Sequence, residues 1–468
     1  MVTRTALRIV RPFPAAAVHP LTGVAALAGL VAAAAACSGP QATTRIDGAT
    51  ALRRAGEDLD LARFEAAQRE FAAALDDAPH SLEAWRGLVE SARRRGALAG
   101  IAARVEQKAR DGPQDASGWY ALGLLRSAQR RDEEAAAAFS RAAAIARDEA
   151  EIEYRLGAAL LAAGRPAQAR RSLSRAVELR PGDAAHRVAL AACLAALGER
   201  AAAMELLREV PRLSPSGAEA DRTVRLARAL TDPFRELSAE ERTLIEPALR
   251  NLERDAPAPA LAQLDAVLAR SPALAAGHLL AALAAERLGD PLRASHELRR
   301  AAALAPALPQ PHAYLARLLV REHPEAAARE YAEAVKRDPL DPVVLRAFGE
   351  LDLDRLGQPS RAAESLGRAA DLIPDDAGLQ ALATRAELSA GSSTSARERL
   401  ARAIHRWRRD PRMLLRVGAA AYDERNRAAT EAVRQVMTQC IDEALDALAE
   451  IDPDNATARS LRRATHEG

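Results

Sequence analysis

The sequence predicts an all-α solenoid of stacked helix pairs, divided into two blocks. Three observations lead to this prediction: a fixed period of 34 residues, small and bulky apolar residues that recur in phase with it, and a break in the period near the middle of the chain. Such a period is typical of repeat proteins, in which each unit buries its apolar face only against its neighbours. A solenoid offers an extended surface, so binding is the predicted role.

Prolines mark the period in the first half of the chain. Pro79, Pro113, Pro181 and Pro215 are separated by 34, 68 and 34 residues, and Arg147 stands at the missing position. Proline lacks an N–H group and has a fixed φ, so it stops a helix. Each proline is therefore predicted to follow the second helix of its unit. Placing it at position 32 gives five repeats without gaps: 48–81, 82–115, 116–149, 150–183 and 184–217.

The third repeat shows what each residue type does. Trp119 is followed by Leu122-Gly123, and then by Ala135 and Phe139. Glycine or alanine allows the two helices of a unit to touch, and the bulky residue fills the space behind them. This pattern closely resembles the tetratricopeptide repeat family. The resemblance implies a right-handed superhelix of antiparallel helix pairs that binds protein or peptide segments and uses no cofactor.

The period breaks after the fifth repeat. From Pro215 to Pro272 the chain runs 57 residues, and the prolines then continue at intervals of 34, 33 and 35. Ser238 and Glu241 form a capping box, which predicts that a helix restarts there. About ten repeats are counted in all. The predicted segments are block 1 at 48–217, an irregular connector at 218–240, block 2 with five to six degenerate repeats at 241–453, and a capping helix or tail at 454–468.

The N-terminus has the pattern of a secretory signal. Arg4, Arg8 and Arg11 precede an apolar stretch from Leu21 to Ala36, which ends at Cys37. A basic start, a short apolar core and small residues are typical of a signal peptide, and the apolar stretch is shorter than a spanning helix needs. Residues 1–36 are therefore predicted to be removed.

The end of this signal resembles a bacterial lipobox. Ala34-Ala35-Ala36-Cys37 matches the box except that Ala34 stands where leucine is usual. The resemblance implies a lipid on Cys37 and, with Ser38 after it, an outer-membrane lipoprotein that faces the periplasm on a tether at 37–47. Two alternatives are cleavage after Ala36, which gives a soluble periplasmic adaptor, and an uncleaved anchor. Multiple acyl chains would hold the protein stably on a membrane.

Charge and motifs argue against other classes of function. The net charge is +2, and the 66 basic and 64 acidic residues are interspersed as on solvated helix faces. The chain has no basic stripe with interleaved aromatic residues, so nucleic acid is not an expected partner. It also lacks the local spacings of nucleophilic, phosphate-binding and zinc sites. We therefore expect no enzyme activity, cofactor, metal or small-molecule substrate.

The concave groove is the expected binding site. In the family, positions 2, 5, 9 and 12 of each first helix line the groove, and the lysine and asparagine that clamp a terminal carboxylate in some members are missing here. An apolar groove for a helix or an extended segment is predicted instead. The alternative is that the same side chains pack between helices. The predicted groove residues are Tyr120, Leu124, Tyr154, Leu161 and Val188.

Two histidines share position 4 of adjacent repeats, His278 and His312. A metal-binding or proton-sensing pair is one interpretation. The favoured interpretation is that histidine replaces the tryptophan of this position and is partly buried.

Overall fold

The computed structural model describes residues 48–213 and 216–467. Pro215, Cys37, and the predicted signal and tether lie outside the described residues. The described part of the chain forms 24 α-helices and one 3₁₀ helix, Val210–Leu213, and contains no strand. None of these helices combines the length and hydropathy needed to cross a bilayer. The predicted all-α fold is confirmed.

The chain divides into two compact units, of which one ends at Ala203 and the other begins at Met204. Helices α1 to α9 lie within the described residues of the first unit, and α10 crosses the division. These helices are α1 (Gly48–Asp60), α2 (Phe64–Asp77), α3 (Leu82–Arg95), α4 (Leu98–Asp111), α5 (Ala116–Ala128), α6 (Asp132–Ile145), α7 (Ala150–Ala162), α8 (Pro166–Leu179), α9 (Ala184–Ala196) and α10 (Arg200–Glu209).

The turn inside each repeat adopts a left-handed conformation at position 15. Gly96, Gly164 and Gly198 have φ values of 75°, 74° and 83°, as their place between the paired helices predicts. Ala62 and Arg130 occupy the same position with φ values of 57° and 64°. The left-handed conformation costs a residue with a Cβ atom about 1 kcal/mol more than glycine. Tertiary packing therefore imposes the turn even where glycine is absent.

Close helix contact inside a repeat depends on glycine, as predicted for Gly123 and Gly157. A Cβ atom on Gly123 would lie 2.6 Å from the Phe139 ring, and one on Gly157 would lie 2.4 Å from Leu173. Phe139 and Leu173 are fully buried. The bulky side chain thus occupies the space that the missing Cβ leaves.

The position-32 prolines have a second role, as hydrogen-bond acceptors. The indole Nε1 of Trp85 donates to the carbonyl of Pro79, and that of Trp119 donates to Pro113, each over 3.0 Å. In the fifth repeat, Arg187 Nε donates to the Pro181 carbonyl over the same distance. The donor is at position 4 of the next repeat each time. A carbonyl in the turn after a helix has no helical partner, so this bond satisfies it.

The second unit contains the remaining helices. They are α11 (Gly217–Leu230), α12 (Ala239–Glu253), α13 (Pro257–Arg270), α14 (Ala275–Arg287), α15 (Pro291–Leu304), α16 (Gln310–Leu319), α17 (Pro324–Arg337), α18 (Pro342–Asp354), α19 (Pro359–Leu372), α20 (Ala377–Ser389), α21 (Ser393–Trp407), α22 (Pro411–Arg427), α23 (Glu431–Ala449) and α24 (Ala456–Glu467). The capping box is formed: Ser238 Oγ accepts from the Glu241 N–H at 3.1 Å, and Glu241 Oε2 accepts from the Ser238 N–H at 2.8 Å.

Most of the predicted connector is helix α11, and the connector belongs to the second unit. Helix α11 and the 3₁₀ helix both contact α19, far along the chain. Thr231 Oγ1 donates to Asp338 Oδ2 at 3.2 Å, and Gln310 Nε2 donates to the Thr231 carbonyl at 2.9 Å. The connector therefore packs on the repeats that follow it, and the predicted block boundary at 217 stays a prediction.

Candidate partner-binding groove

A groove runs across the first helices of the first four repeats, α1, α3, α5 and α7, and encloses about 560 Å³. It is lined by the helix faces that the repeat pattern predicts. Side chains at positions 2, 5, 9 and 12 make up more than half of its lining: Leu52, Gly56, Leu59, Glu83, Arg86, Glu90, Arg93, Leu124, Ser127 and Ala158.

The predicted groove residues are only partly brought together. Leu124 lines the groove, whereas Tyr120, Tyr154, Leu161 and Val188 do not. The side chains of Tyr120 and Val188 are buried, and those of Tyr154 and Leu161 are half-buried. The expectation that Tyr120 offers its ring to a partner is therefore corrected in favour of packing between helices. Binding by any of these residues stays a prediction.

Tyr120 is buried because its ring fills the space between two repeats. The ring lies 5.9 Å from that of Phe139, and its hydroxyl donates to Glu151 Oε1 at 3.0 Å. Glu151 belongs to the next repeat, so this bond joins two repeats beneath the groove. Burial, reinforced by the Glu151 carboxylate, raises the pKa of Tyr120 well above its usual value. The hydroxyl therefore remains a donor at all ordinary pH values.

Two arginines flank the Glu151 carboxylate. Arg155 Nε donates to Oε1 at 2.9 Å, and Arg86 Nη1 lies 3.9 Å from the same oxygen. Burial alone would lower the pKa of Arg155, but Glu151 outweighs it and raises that pKa above the usual value. The carboxylate has a side-chain exposure of 15%. Glu151 thus forms a hydrogen-bonded ion pair with Arg155 but only a long ionic contact with Arg86.

Arg86 is a loosely held cation of the groove. Its side chain is 49% exposed, and 3.9 Å is too long for a hydrogen bond. Within the described residues, it makes no hydrogen bond. Glu90, one turn further along α3, differs because it accepts from both Arg93 and Arg94. The hydrogen bond from Arg93 lowers the pKa of Glu90.

Tyr154 takes part in packing between repeats. Its ring lies 4.9 Å from that of His186, a buried residue of the next first helix. The guanidinium of Arg155 also contacts this ring, 5.2 Å from its centre. Position 5 therefore faces the neighbouring repeat at Tyr154 and the groove at Arg86.

The two position-4 histidines are held by glutamates of their own repeats. His278 Nδ1 lies 2.6 Å from Glu297, and His312 Nδ1 lies 2.7 Å from Glu330. His278 Nε2 also faces the Pro272 carbonyl at 3.0 Å, in the manner of Trp85 and Trp119. This geometry agrees with histidine as a replacement for tryptophan. In the part of the chain that the structure describes, no group of three or more possible ligands is placed to hold a metal ion.

The charged residues of the groove were missed by the sequence reasoning. Arg86 and Glu90 stand at positions 5 and 9, which the pattern assigns to the groove, and Glu151 stands at position 2. The predicted groove was apolar, so these charged residues were not included in it. The residue type at each groove position, taken without that preference, would have identified a surface of mixed charge and leucine.

Comparison with known proteins agrees with this architecture. A family profile described as tetratricopeptide repeat matches residues 160–225, and another with the same description matches residues 52–103. No curated protein matches the chain.

Several solved structures are similar at low sequence identity. They include TTC0263, a thermophilic TPR protein of Thermus thermophilus (22% identity, 39% of this chain and 98% of that chain covered, TM-score 0.33). The MamA protein has 15% identity over 36% of this chain and 93% of that chain, with a TM-score of 0.32. The P58(IPK) TPR domain has 17% identity over 75% of this chain and 98% of that chain, with a TM-score of 0.23.

Proposed function

Because the chain is a tetratricopeptide repeat protein and hence a protein-interaction scaffold, we propose that the groove of its first unit binds a segment of a partner protein. The single observation that carries this proposal is Arg86. It stands in a groove of about 560 Å³, half exposed and without a hydrogen bond in the described residues, so its donors are available to a ligand.

The lining favours a segment that is apolar on one side and carries an acidic or carbonyl group. Leu52, Leu59 and Leu124 supply the apolar contacts, and the first two are only half-buried. Arg86 supplies charge-assisted donors, which bind a carboxylate more strongly than neutral donors do. A helix or an extended strand with leucine-like and acidic side chains satisfies both requirements.

A cross-linking experiment tests the groove. A photoreactive benzoylphenylalanine is placed at Ser127, an exposed groove residue, or at Ser140, an exposed residue of the second helix α6, in the full chain. We expect a specific cross-linked partner from position 127 only, and a several-fold loss of that product when Arg86→Glu is added. An equal product from position 140, or a yield unaffected by Arg86→Glu, would overturn the proposal.

We also propose that the scaffold works at a membrane, held by a lipid on Cys37 at the periplasmic face of the outer membrane, in envelope assembly, secretion or export. The lipobox-like sequence supports this placement, and a soluble periplasmic adaptor is the second candidate. Labelling cells with radioactive palmitate tests it, with Cys37→Ala as the control. Label is expected in the wild type alone, and label retained by Cys37→Ala would refute the anchor.

The proposed role is not catalytic. The charged groups of the groove are committed mainly to one another, as in the pair of Glu151 with Arg155 and the pair of Glu90 with Arg93. Such pairs shape and orient a binding surface.

A further inference from the structure

A second recess lies wholly within the second unit and is independent of the groove. The 3₁₀ helix Val210–Leu213, the end of α19, the start of α20 and one face of α21 surround about 250 Å³. Two prolines and two alanines form its apolar walls. Its ionisable lining residues are four arginines and one acid: Arg212, Arg399, Arg402, Arg406 and Asp371.

The one acid that lines this recess, Asp371, already has a hydrogen-bond partner. Asp371 Oδ1 accepts from Arg399 Nη1 at 2.9 Å, and Arg399 Nε donates to Glu387 at the same distance. Arg399 is 7% exposed, and although burial lowers its pKa, the two carboxylates raise it above the usual value. The two carboxylates therefore hold Arg399 in the wall of the recess. Because Asp371 is already paired with Arg399, it does little to neutralise the other lining arginines.

Arg402 and Arg212 take part in weak surface pairs. Arg402 is 57% exposed and lies 4.0 Å from Glu398, which is beyond a hydrogen bond. Arg212 contacts Glu209 at 3.1 Å but is 77% exposed. Exposed pairs of this kind contribute little and are easily exchanged. An anion in the recess can therefore compete for these two side chains.

Arg406 adds a further positive charge to the same wall. Its side chain is 33% exposed, and its guanidinium lies 3.7 Å from the carboxylate of Asp375, which is 59% exposed. Arg406 follows Arg402 by four residues on α21, so the two side chains lie on one face of that helix. The recess thus brings two guanidinium groups of one helix to the same apolar wall.

The positive potential extends to an arginine earlier in α19. Arg368 precedes the lining residue Asp371 by three positions and donates to the Pro339 carbonyl at 2.9 Å. Burial lowers the pKa of Arg368; the Glu364 carboxylate opposes this shift, and the like charges of Arg208 and Arg212 add to it. Arg208 and Arg212 therefore lie close enough to Arg368 to act on its charge, so several arginines are grouped on this side of the recess.

We propose that this recess binds a carboxylate side chain of an acidic peptide segment. Guanidinium groups bind carboxylates in a planar, often bidentate geometry, and Arg402 and Arg406, one turn apart on α21, can approach one carboxylate together. The apolar walls suit the aliphatic part of a glutamate. An anionic membrane fits less well, because the exposed acids Glu209, Glu398 and Asp375 stand around the rim and would repel a broad negative surface.

The test uses the full chain and a fluorescein-labelled hexaglutamate peptide, with binding followed by fluorescence anisotropy. Arg402→Gln/Arg406→Gln is expected to weaken binding at least about tenfold. The matched control, Arg299→Gln/Arg300→Gln, removes two exposed charges from α15 of the same unit and is expected to change binding less than about twofold. Arg402→Lys/Arg406→Lys keeps the charge and should restore binding in part.

Other outcomes overturn the proposal. Equal loss in the two glutamine variants would mean diffuse charge attraction, and no binding by the wild type would mean that there is no site. Inorganic phosphate that binds as tightly as the peptide would indicate a free-anion site, and phosphatidylglycerol vesicles bound in place of the peptide would indicate a membrane site. Circular dichroism of each variant checks that the helices are intact.

Discussion

The two units satisfy the proline carbonyls of their turns in different ways. In the first unit the donor is at position 4 of the next repeat, six residues after the proline, as in Trp85 and Pro79. In the second unit His278 follows this rule, but Arg337 donates to Pro306 and Arg368 donates to Pro339 across 31 and 29 residues. Donors from a distant helix tolerate a change in loop length, which agrees with intervals of 33 and 35 there.

The interiors of the two units differ in the same sense. The buried polar residues of the first unit carry hydroxyl groups, apart from His186: Ser91, Ser117 and Ser172. The second unit buries charges, namely Asp338, Asp352, Arg385, Glu387, Arg399 and Glu424. The interior of the first unit thus depends on apolar contacts and hydrogen bonds, whereas the second unit also depends on buried ion pairs, which lose much when one partner is removed.

The largest expected effect comes from removing one of these buried charges, that of Arg385. Arg385 is 6% exposed and lies 2.8 Å from Asp354 and 2.6 Å from Glu424, which is itself 8% exposed. Arg385→Met leaves Glu424 buried with a weaker partner and should lower the free energy of unfolding of the second unit by about 3–5 kcal/mol. Hydrogen exchange of peptides from α20 and α22 measures it.

A matched surface pair in the first unit provides the control. Arg131 and Glu134 are each 48% exposed. Arg131→Met should cost at most about 1 kcal/mol. Similar losses in the two variants would contradict the claim that the second unit depends on buried ion pairs.

Glycine-to-alanine substitutions test whether both units depend on the same close contact between helices. Gly123→Ala places a Cβ 2.6 Å from Phe139, and Gly349→Ala places one 2.4 Å from Leu366. Overpacking of this kind should cost about 1–3 kcal/mol in each unit, measured by thermal melting and by local hydrogen exchange. Gly56→Ala, where a Cβ meets nothing within 4 Å, should instead stabilise α1. A large loss in one unit only would show that the repeats do not share this contact.

Asp338 of the second unit, which accepts a hydrogen bond from Thr231 of the connector, adds a pH dependence. Burial, with the nearby Asp341 charge, raises the pKa of Asp338 to about 6, although the Leu340 N–H, Thr231 and Arg228 act in the opposite direction. The folded state therefore binds the proton more tightly than the unfolded state, whose pKa is about 3.9. The free energy of unfolding should fall by roughly 1–3 kcal/mol as the pH rises from about 4 to about 6, and level off above that.

Asp338→Asn should flatten this part of the curve, as seen in thermal melts at pH 4, 5, 6 and 8. Asp76→Asn changes an exposed carboxylate of the first unit and serves as the control, with a curve that should follow the wild type. A wild-type slope retained in Asp338→Asn would assign the effect to other groups.

The smallest expected effect is at the proline carbonyls. Trp85→Phe keeps an aromatic ring but removes the donor to Pro79, and should cost about 1 kcal/mol, confined to the first two repeats. Arg368→Met removes the corresponding donor in the second unit. Hydrogen exchange at residues 78–85 should rise in the first variant alone. A change spread over the whole unit would show that the bond is not a local one.

Much of the fold follows from the sequence, because each signal is local to one repeat. The contact of Gly123 with Phe139 was predicted from residue type and phase, and the left-handed turns recur at one position of each repeat. Predictions failed where the contact is between repeats or far along the chain. Tyr120 has a groove position, but the space beside Phe139 and the acceptor on Glu151 draw its side chain inward. No periodicity predicts that α11 packs on α19.

The position-4 donor also bears on how such a chain can lengthen. In the first unit the acceptor ends one repeat and the donor begins the next, so a duplicated 34-residue gene segment carries both halves of a working junction. The junction at either end of the duplicated segment therefore has both its donor and its acceptor. In the second unit the donor for Pro339 lies on a later helix. A segment cut between the two would leave a carbonyl without its donor, so a duplicated segment there must include the whole stretch from Pro339 to Arg368.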